Sequence, residues 1–259
     1  EVLALFQKGD LVPVYRKLLA DLETPMSVYL KLARQGIASF LLESVEGGVQ
    51  VGRYSFLGVN PRAVYTFKGR TITRTVNGKT TTETLPDGQD PLHVIKREMT
   101  SVTPVKLEGL PRLVGGAVGY LSYDIVRYFE RLPDTAREEI DVPEAAFMLP
   151  DTVVIFDHAK RQLIVLANAH NTGNPDAAYR DAVARIDQIV VSLGDPLPPL
   201  NTAPAPLDAE FATSVTKAEF EDKVRRAKEY IAAGEAFQIV LSQRLTRRTS
   251  ADGIAIYRA

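Results

Sequence analysis

The sequence predicts an α+β fold in which antiparallel β-sheets pack with helices. Three observations carry that expectation. Strand-type segments follow one another through the first half with only short turns between them, the order of hairpins and not of βαβ crossovers. Asn77-Gly78 joins two of them, and both residues accept the positive φ that a two-residue type I′ hairpin demands. The helical segments are few, and most bring their own start signal.

Thr24-Pro25 supplies an N-cap and a proline at the first helical position, so a helix is expected from there to about Gln35, stopped by Gly36. Ser39 to Val45 and Gly52 to Gly58 read as strands around a Gly47-Gly48 turn. Ala63 to Phe67, Thr71 to Val76 and Thr80 to Thr84 form a meander. Asp90-Pro91 opens a helix to about Met99, and Leu113 to Ser122 reads as a glycine-rich apolar strand. Thr152 to Asp157 and Gln162 to Ala167 pair across a short turn. Asn174-Pro175 caps a helix with Tyr179, Val183, Ile186, Val190 and Leu193 at helical spacing.

Asp195 to Pro206 holds five prolines in twelve residues and reads as a linker. After it, Thr216-Lys217-Ala218-Glu219 is a capping box. Phe220, Val224, Ala227 and Ile231 make the expected buried stripe of the following helix, and Gly234 ends it. Phe237 to Leu245 is expected as a strand, and Gly253 onward as a helix still in progress with no stop signal. That tail suggests a fragment of a longer protein.

With 259 residues, 45% of them hydrophobic, the chain can bury a real core. A net charge of −1 and no basic run leave phosphate-driven nucleic-acid binding without a source. No cysteine exists for a disulfide, a thiolate ligand or a nucleophile. No stretch approaches the roughly 20 apolar residues of a membrane span, and the N-terminus lacks the pattern of a signal peptide. A soluble, cytoplasmic protein is the expectation, with no nucleic-acid or membrane partner. His93, His158 and His170 match no metal spacing, and His158 is expected in a solvated turn. Gly115-Gly116-Ala117-Val118-Gly119 lacks the lysine of a phosphate loop, so close strand packing is its better account.

Two stretches could carry chemistry. In the strand after Gly234, alternation puts Gln238, Val240, Ser242 and Arg244 on one face and Phe237, Ile239, Leu241 and Gln243 on the other. The face with Phe237, Ile239 and Leu241 is expected in the core. The opposite face is either simply solvated or lines a cavity. The second stretch is Phe40 to Glu46 followed by Arg53 to Gly58. There Ser44, Glu43 and Arg53 could hold a zwitterionic amino acid, with Arg53 facing its carboxylate and Glu43 its ammonium. Plain cross-strand pairing at a sheet edge competes with that reading.

The runs GEAFQIVLSQR (residues 234–244), LLES (41–44) with RYSF (53–56), and GGAVGYLSYDIVRYFE (115–130) occur in the order found in anthranilate synthase large subunits, which the chain resembles throughout. The resemblance implies that type of sandwich, incomplete at the C-terminus. Residues 1–194 would be the N-terminal regulatory region, 195–213 the linker and 214–259 the start of the chorismate-binding catalytic domain. It also implies chorismate as substrate, a glutamine amidotransferase subunit as partner, tryptophan as feedback inhibitor at Ser44, Glu43 and Arg53, and Mg2+ held by ligands outside this chain. The stretch from Gly115 would be framework and partner contact. In relatives that add water to chorismate, a lysine stands where Gln238 stands here. Water must lose a proton as it attacks, so a lysine of lowered pKa serves as base, whereas neutral ammonia needs only orientation. Gln238 is therefore expected to position ammonia. The folate-pathway relative, aminodeoxychorismate synthase, remains the alternative, and the 259 residues alone are expected to be a catalytically inactive regulatory or interaction module.

Overall fold

The computed structural model describes residues 2–33, 37–43, 52–135, 138–199 and 210–259. In chain order the elements are α1 (Val2–Leu5), β1 (Leu11–Leu19), α2 (Pro25–Leu32), β2 (Phe40–Leu42), β3 (Tyr54–Gly58), β4 (Ala63–Lys68), β5 (Thr71–Val76), β6 (Lys79–Thr84) and α3 (Pro91–Thr100). There follow β7 (Val118–Leu121), a 3-10 turn (Tyr123–Tyr128), β8 (Ala145–Leu149), β9 (Thr152–Asp157), β10 (Gln162–His170) and α4 (Pro175–Leu193). The last are β11 (Ala212–Thr213), α5 (Lys217–Ala232), β12 (Leu245–Thr246) and α6 (Gly253–Arg258). The chain divides into two compact units, Glu1–Pro198 and Pro199–Ala259.

The first unit holds two five-stranded sheets with orders β1-β10-β9-β3-β2 and β6-β5-β4-β8-β7. All named strand pairs are antiparallel, as the hairpin order of the sequence predicts. The centre of the first sheet reads as continuous apolar sequence because both faces are covered. All six residues of β9 are buried. One face packs Leu57, Val154, Phe156, Val165 and Ala167 against Val28 and Leu32 of α2 and Ala182, Ile186 and Ile189 of α4. On the other, Val153, Ile155 and Ile164 meet Leu110. The second sheet buries Tyr65, Phe67 and Ile72 against Val94 and Ile95 of α3.

Local signals set the helix starts. Thr24 caps α2 and Asp90 caps α3, each through a reciprocal capping box. Asn77 and Gly78 have φ of 49° and 76°, which lets Val76 pair with Lys79 across a two-residue turn. At Gly119 a Cβ would lie 1.9 Å from the carbonyl oxygen of Ala146, so only glycine permits the β7–β8 approach.

Several expectations need correction. Helix α2 ends at Leu32, with Ala33 leaving the helical region; Gln35 and the expected stop Gly36 lie outside the described residues. Of the predicted 113–122 strand, only β7 forms, since Gly116 turns at a φ of 110°. In α4 the fully buried residues are Ala182, Ile186 and Ile189; of the expected stripe Ile186 is buried, Val190 and Leu193 pack partly buried against the core, and Tyr179 is 39% exposed.

In the second unit, α5 has its capping box at Thr216 and Glu219. It ends in a Schellman arrangement: Gly234, at φ 79°, donates to Ile231 O, and Glu235 to Tyr230 O. Of the expected stripe only Ala227 is buried, with Val224 37% and Ile231 41% exposed. The predicted 237–245 strand does not form. Only Leu245–Thr246 pairs, with Ala212–Thr213. A strand draws both its hydrogen bonds and its buried face from neighbours, and among the described residues 237–244 have no strand beside them.

Candidate functional site

The first candidate lies where β2, β3 and β9 run side by side. Leu41 faces Leu57 and Leu42 faces Phe56, and Tyr54 in turn faces Asp157. Glu43 follows directly after this ladder. Ser44 and the Gly47-Gly48 turn lie outside the described residues.

Arg53 enters just before β3, and its guanidinium is already engaged. Nε donates to Asp157 Oδ1 at 3.0 Å and Nη2 to Oδ2 at 2.7 Å, a two-point fork. The guanidinium also lies over the Tyr54 ring, 4.8 Å from its centroid. The Arg53 hydrogen bonds hold the buried Asp157 carboxyl below its ordinary range; burial opposes this, and the Lys160 N–H adds to it. The same pairing raises Arg53. The reading in which Arg53 faces a ligand carboxylate is therefore changed, because a protein carboxylate occupies that fork. Beside it, Ser55 Oγ and His158 Nε2 are 2.8 Å apart, so the exposed His158 is anchored to buried Ser55.

The second candidate, which the sequence did not disclose, is a polar cleft of about 840 Å³ bordered by α4 and the segments leading into β4 and β9. At its wall, Asp151 Oδ1 meets Arg62 Nε at 3.2 Å and His170 Nε2 at 2.9 Å. Arg185 of α4 donates through Nη2 to Asn168 O at 2.7 Å and pairs with Asp181 at 2.9 Å. Arg62, His170 and Arg185 each face a carboxylate or carbonyl, so the network ties α4 to the sheet, while Arg74 on the same cleft donates to the Tyr65 hydroxyl. The partners are separated by up to ninety residues in sequence, and no motif links them.

The third is the segment around Gln238. Gln238 is exposed, Phe237 is 93% exposed and Val240 82%. The expected core face is not buried, with Phe237 exposed and Ile239 and Leu241 half-buried, and Gln238 does not line the cleft described above. As to metals, the described residues bring together no group of three carboxylate, imidazole or thiol side chains that could hold an ion. No described helix is long and apolar enough to cross a membrane.

Residues 38–259 match the family model for chorismate binding enzymes. The chain is 36% identical to anthranilate synthase component 1 of Acetivibrio thermocellus over 266 aligned positions, covering 100% of this chain and 53% of that protein. Against the protein of the same name from Synechocystis it is 37% identical, covering 98% and 52%. The chain thus spans about half the length of the curated relatives it matches. Its fold is similar to a crystal structure of anthranilate synthase component I from Streptococcus pneumoniae, with a TM-score of 0.62, 24% identity, and 93% and 51% of the two chains covered.

Proposed function

The chain belongs to the chorismate-binding enzyme family, and from that premise we propose that it forms part of an anthranilate synthase large subunit. The complete protein would convert chorismate and ammonia into anthranilate, pyruvate and water. Ammonia adds to the ring, the ring hydroxyl departs as water, and elimination of pyruvate leaves the aromatic product. The observation that carries this reading is the match, along nearly the whole chain, to several proteins of that one name at 36% to 37% identity.

Within that reading Gln238 positions ammonia. A primary amide is neutral at all working pH values, so it can accept a hydrogen bond from ammonia without protonating it. Its exposure here means that the reading requires a further strand of the complete protein to lie along residues 237–245 and close the cavity. Magnesium would be held by residues beyond these 259 and would serve to bind and polarise carboxylate oxygens of the substrate. A glutamine amidotransferase subunit would supply the ammonia in a cytoplasmic enzyme of tryptophan biosynthesis.

Tryptophan would bind beside β2, with Ser44 and Glu43 as its contacts. Arg53 would support that wall by clamping the start of β3 to Asp157, and Glu43 would meet the ammonium. Inhibition then follows from a difference in tryptophan affinity between two states of the enzyme.

The test is to supply the complete protein with chorismate, magnesium and ammonium and follow anthranilate fluorescence. Appearance of the signal supports the reading. An aminodeoxychorismate product without fluorescence would place the protein with its folate-pathway relatives.

A further inference from the structure

Three of the clefts bordering the first unit differ in charge. The one at Arg62 and Asp151 mixes paired cations and carboxylates. The one beside Tyr128 is rich in carboxylates, with Asp124, Asp134, Glu138 and Glu144 along it. The third, of about 650 Å³, is lined by no acidic side chain among the described residues. It lies between the start of β1, the end of β10 and the chain from the end of α3 to Gly116.

That third cleft is built by the backbone. Val105 N donates to Leu11 O at 2.8 Å, and Leu11 N to Thr103 O at 3.2 Å, so the connection after α3 is stitched to β1. A Cβ at Gly115 would come 2.7 Å from the Asn168 side-chain amide, so glycine lets the chain close over that residue. The floor is apolar: Leu11, Pro13, Val105, Leu110 and Val114 line it. Asn168 is 4% exposed, and its amide nitrogen donates to Val114 O at 2.8 Å. Its second N–H has no acceptor among the described residues. Lys106 and Arg112 stand on the border, both exposed, and neither forms an ion pair among the described residues. In the first two clefts Arg62, Arg185, Arg70 and Arg127 pair with carboxylates, and Arg74 donates to the Tyr65 hydroxyl. Here Lys106 and Arg112 pair with no carboxylate among the described residues.

We propose that this cleft binds a small monocarboxylate with an apolar body, such as an aromatic or branched carboxylic acid. The volume falls in the range of small-molecule sites, roughly 300–1,000 Å³. The apolar floor takes the body by removing it from water. Lys106 and Arg112 take the carboxylate, Arg112 in a two-point fork, and the Asn168 N–H is an additional donor. Inorganic phosphate has no apolar body and would leave the floor unused. An amine would meet only like charge. None of the described residues between 40 and 58, Glu43 included, lines the cleft.

The test uses the full chain and the probe 3-phenylpropanoate, with 3-phenylpropan-1-ol and 3-phenylpropylamine as neutral and cationic controls. Titration is followed by amide NMR. The acid is expected to bind saturably and to shift the amides of Leu11, Val105 and Asn168, at least about tenfold more tightly than either control. The double variant Lys106→Gln/Arg112→Gln, which alters only exposed side chains, is expected to lose that preference while still taking the alcohol as before. Excess tryptophan is expected to leave the titration unchanged. Equal affinity for acid and alcohol would overturn the proposal. So would an unaffected double variant, displacement by tryptophan, or no saturable binding of the acid.

Discussion

Residues 152–157 and residues 237–245 are both expected as strands from the sequence, the first nearly continuous in apolar residues, the second with apolar residues alternating with polar ones over part of its length. In the structure they differ completely. The first is β9, with six buried residues between β10 and β3. The second forms no strand until its last residue, and Phe237 and Val240 face solvent. Helices show no such divide, since the capping boxes of α2, α3 and α5 form equally well in both units. Capping is satisfied within four residues, whereas a strand needs a neighbour that its own sequence does not contain.

The largest expected effect tests whether burial really separates the sheets of the first unit from the segment around Gln238. Phe67→Ala removes a fully buried ring from the second sheet and is expected to cost about 3–5 kcal/mol by urea unfolding. Phe237→Ala removes an equal ring from an exposed position and is expected to change stability by no more than about 0.5 kcal/mol. Similar costs for the two would erase the contrast. Next is Gly119→Ala, where the added Cβ meets backbone and not a yielding side chain. A loss of about 1–3 kcal/mol is expected, read as a lowered urea midpoint.

Asp157 sharpens the comparison through pH. Its folded pKa is depressed by Arg53, so its stabilising contribution is complete above its unfolded value, near about pH 4. It is lost as pH falls through the lower folded value. Asp157→Asn is expected to lower stability at neutral pH by less than the Phe67 truncation and to flatten this acid limb. An acid limb as steep in the variant as in the parent would show that Arg53 does not hold the carboxylate. The smallest effect is local: Thr216→Ala is expected to cost α5 about 1 kcal/mol, seen as faster amide exchange there with none in β9.

What was legible in the sequence follows the same division. The Asn77-Gly78 hairpin, the start of α3 at Asp90, the start of α4 at Asn174 and both ends of β9 stand where local chemistry put them. Strands β1 and β8 went unforeseen. β1 carries Pro13 and runs Tyr15-Arg16-Lys17 through its middle, a pattern that becomes a strand only because it pairs along its whole length with β10, some 150 residues away. The clamp of Arg53 on Asp157 spans 104 residues and was equally hidden. Its cost to the site reading was specific, since an arginine that looked free for a ligand had a partner from another strand. Gln238 could be named from motif resemblance, but the surface that would make it a site is not written in the residues beside it.

The central claim is that nitrogen, not water, meets the chorismate ring opposite Gln238. The direct measurement is mass spectrometry of the product formed by the complete protein from chorismate, ammonium, magnesium and 18O-labelled water. Anthranilate containing the ammonium nitrogen and no 18O is the predicted product. A hydroxylated chorismate isomer carrying 18O would contradict the claim.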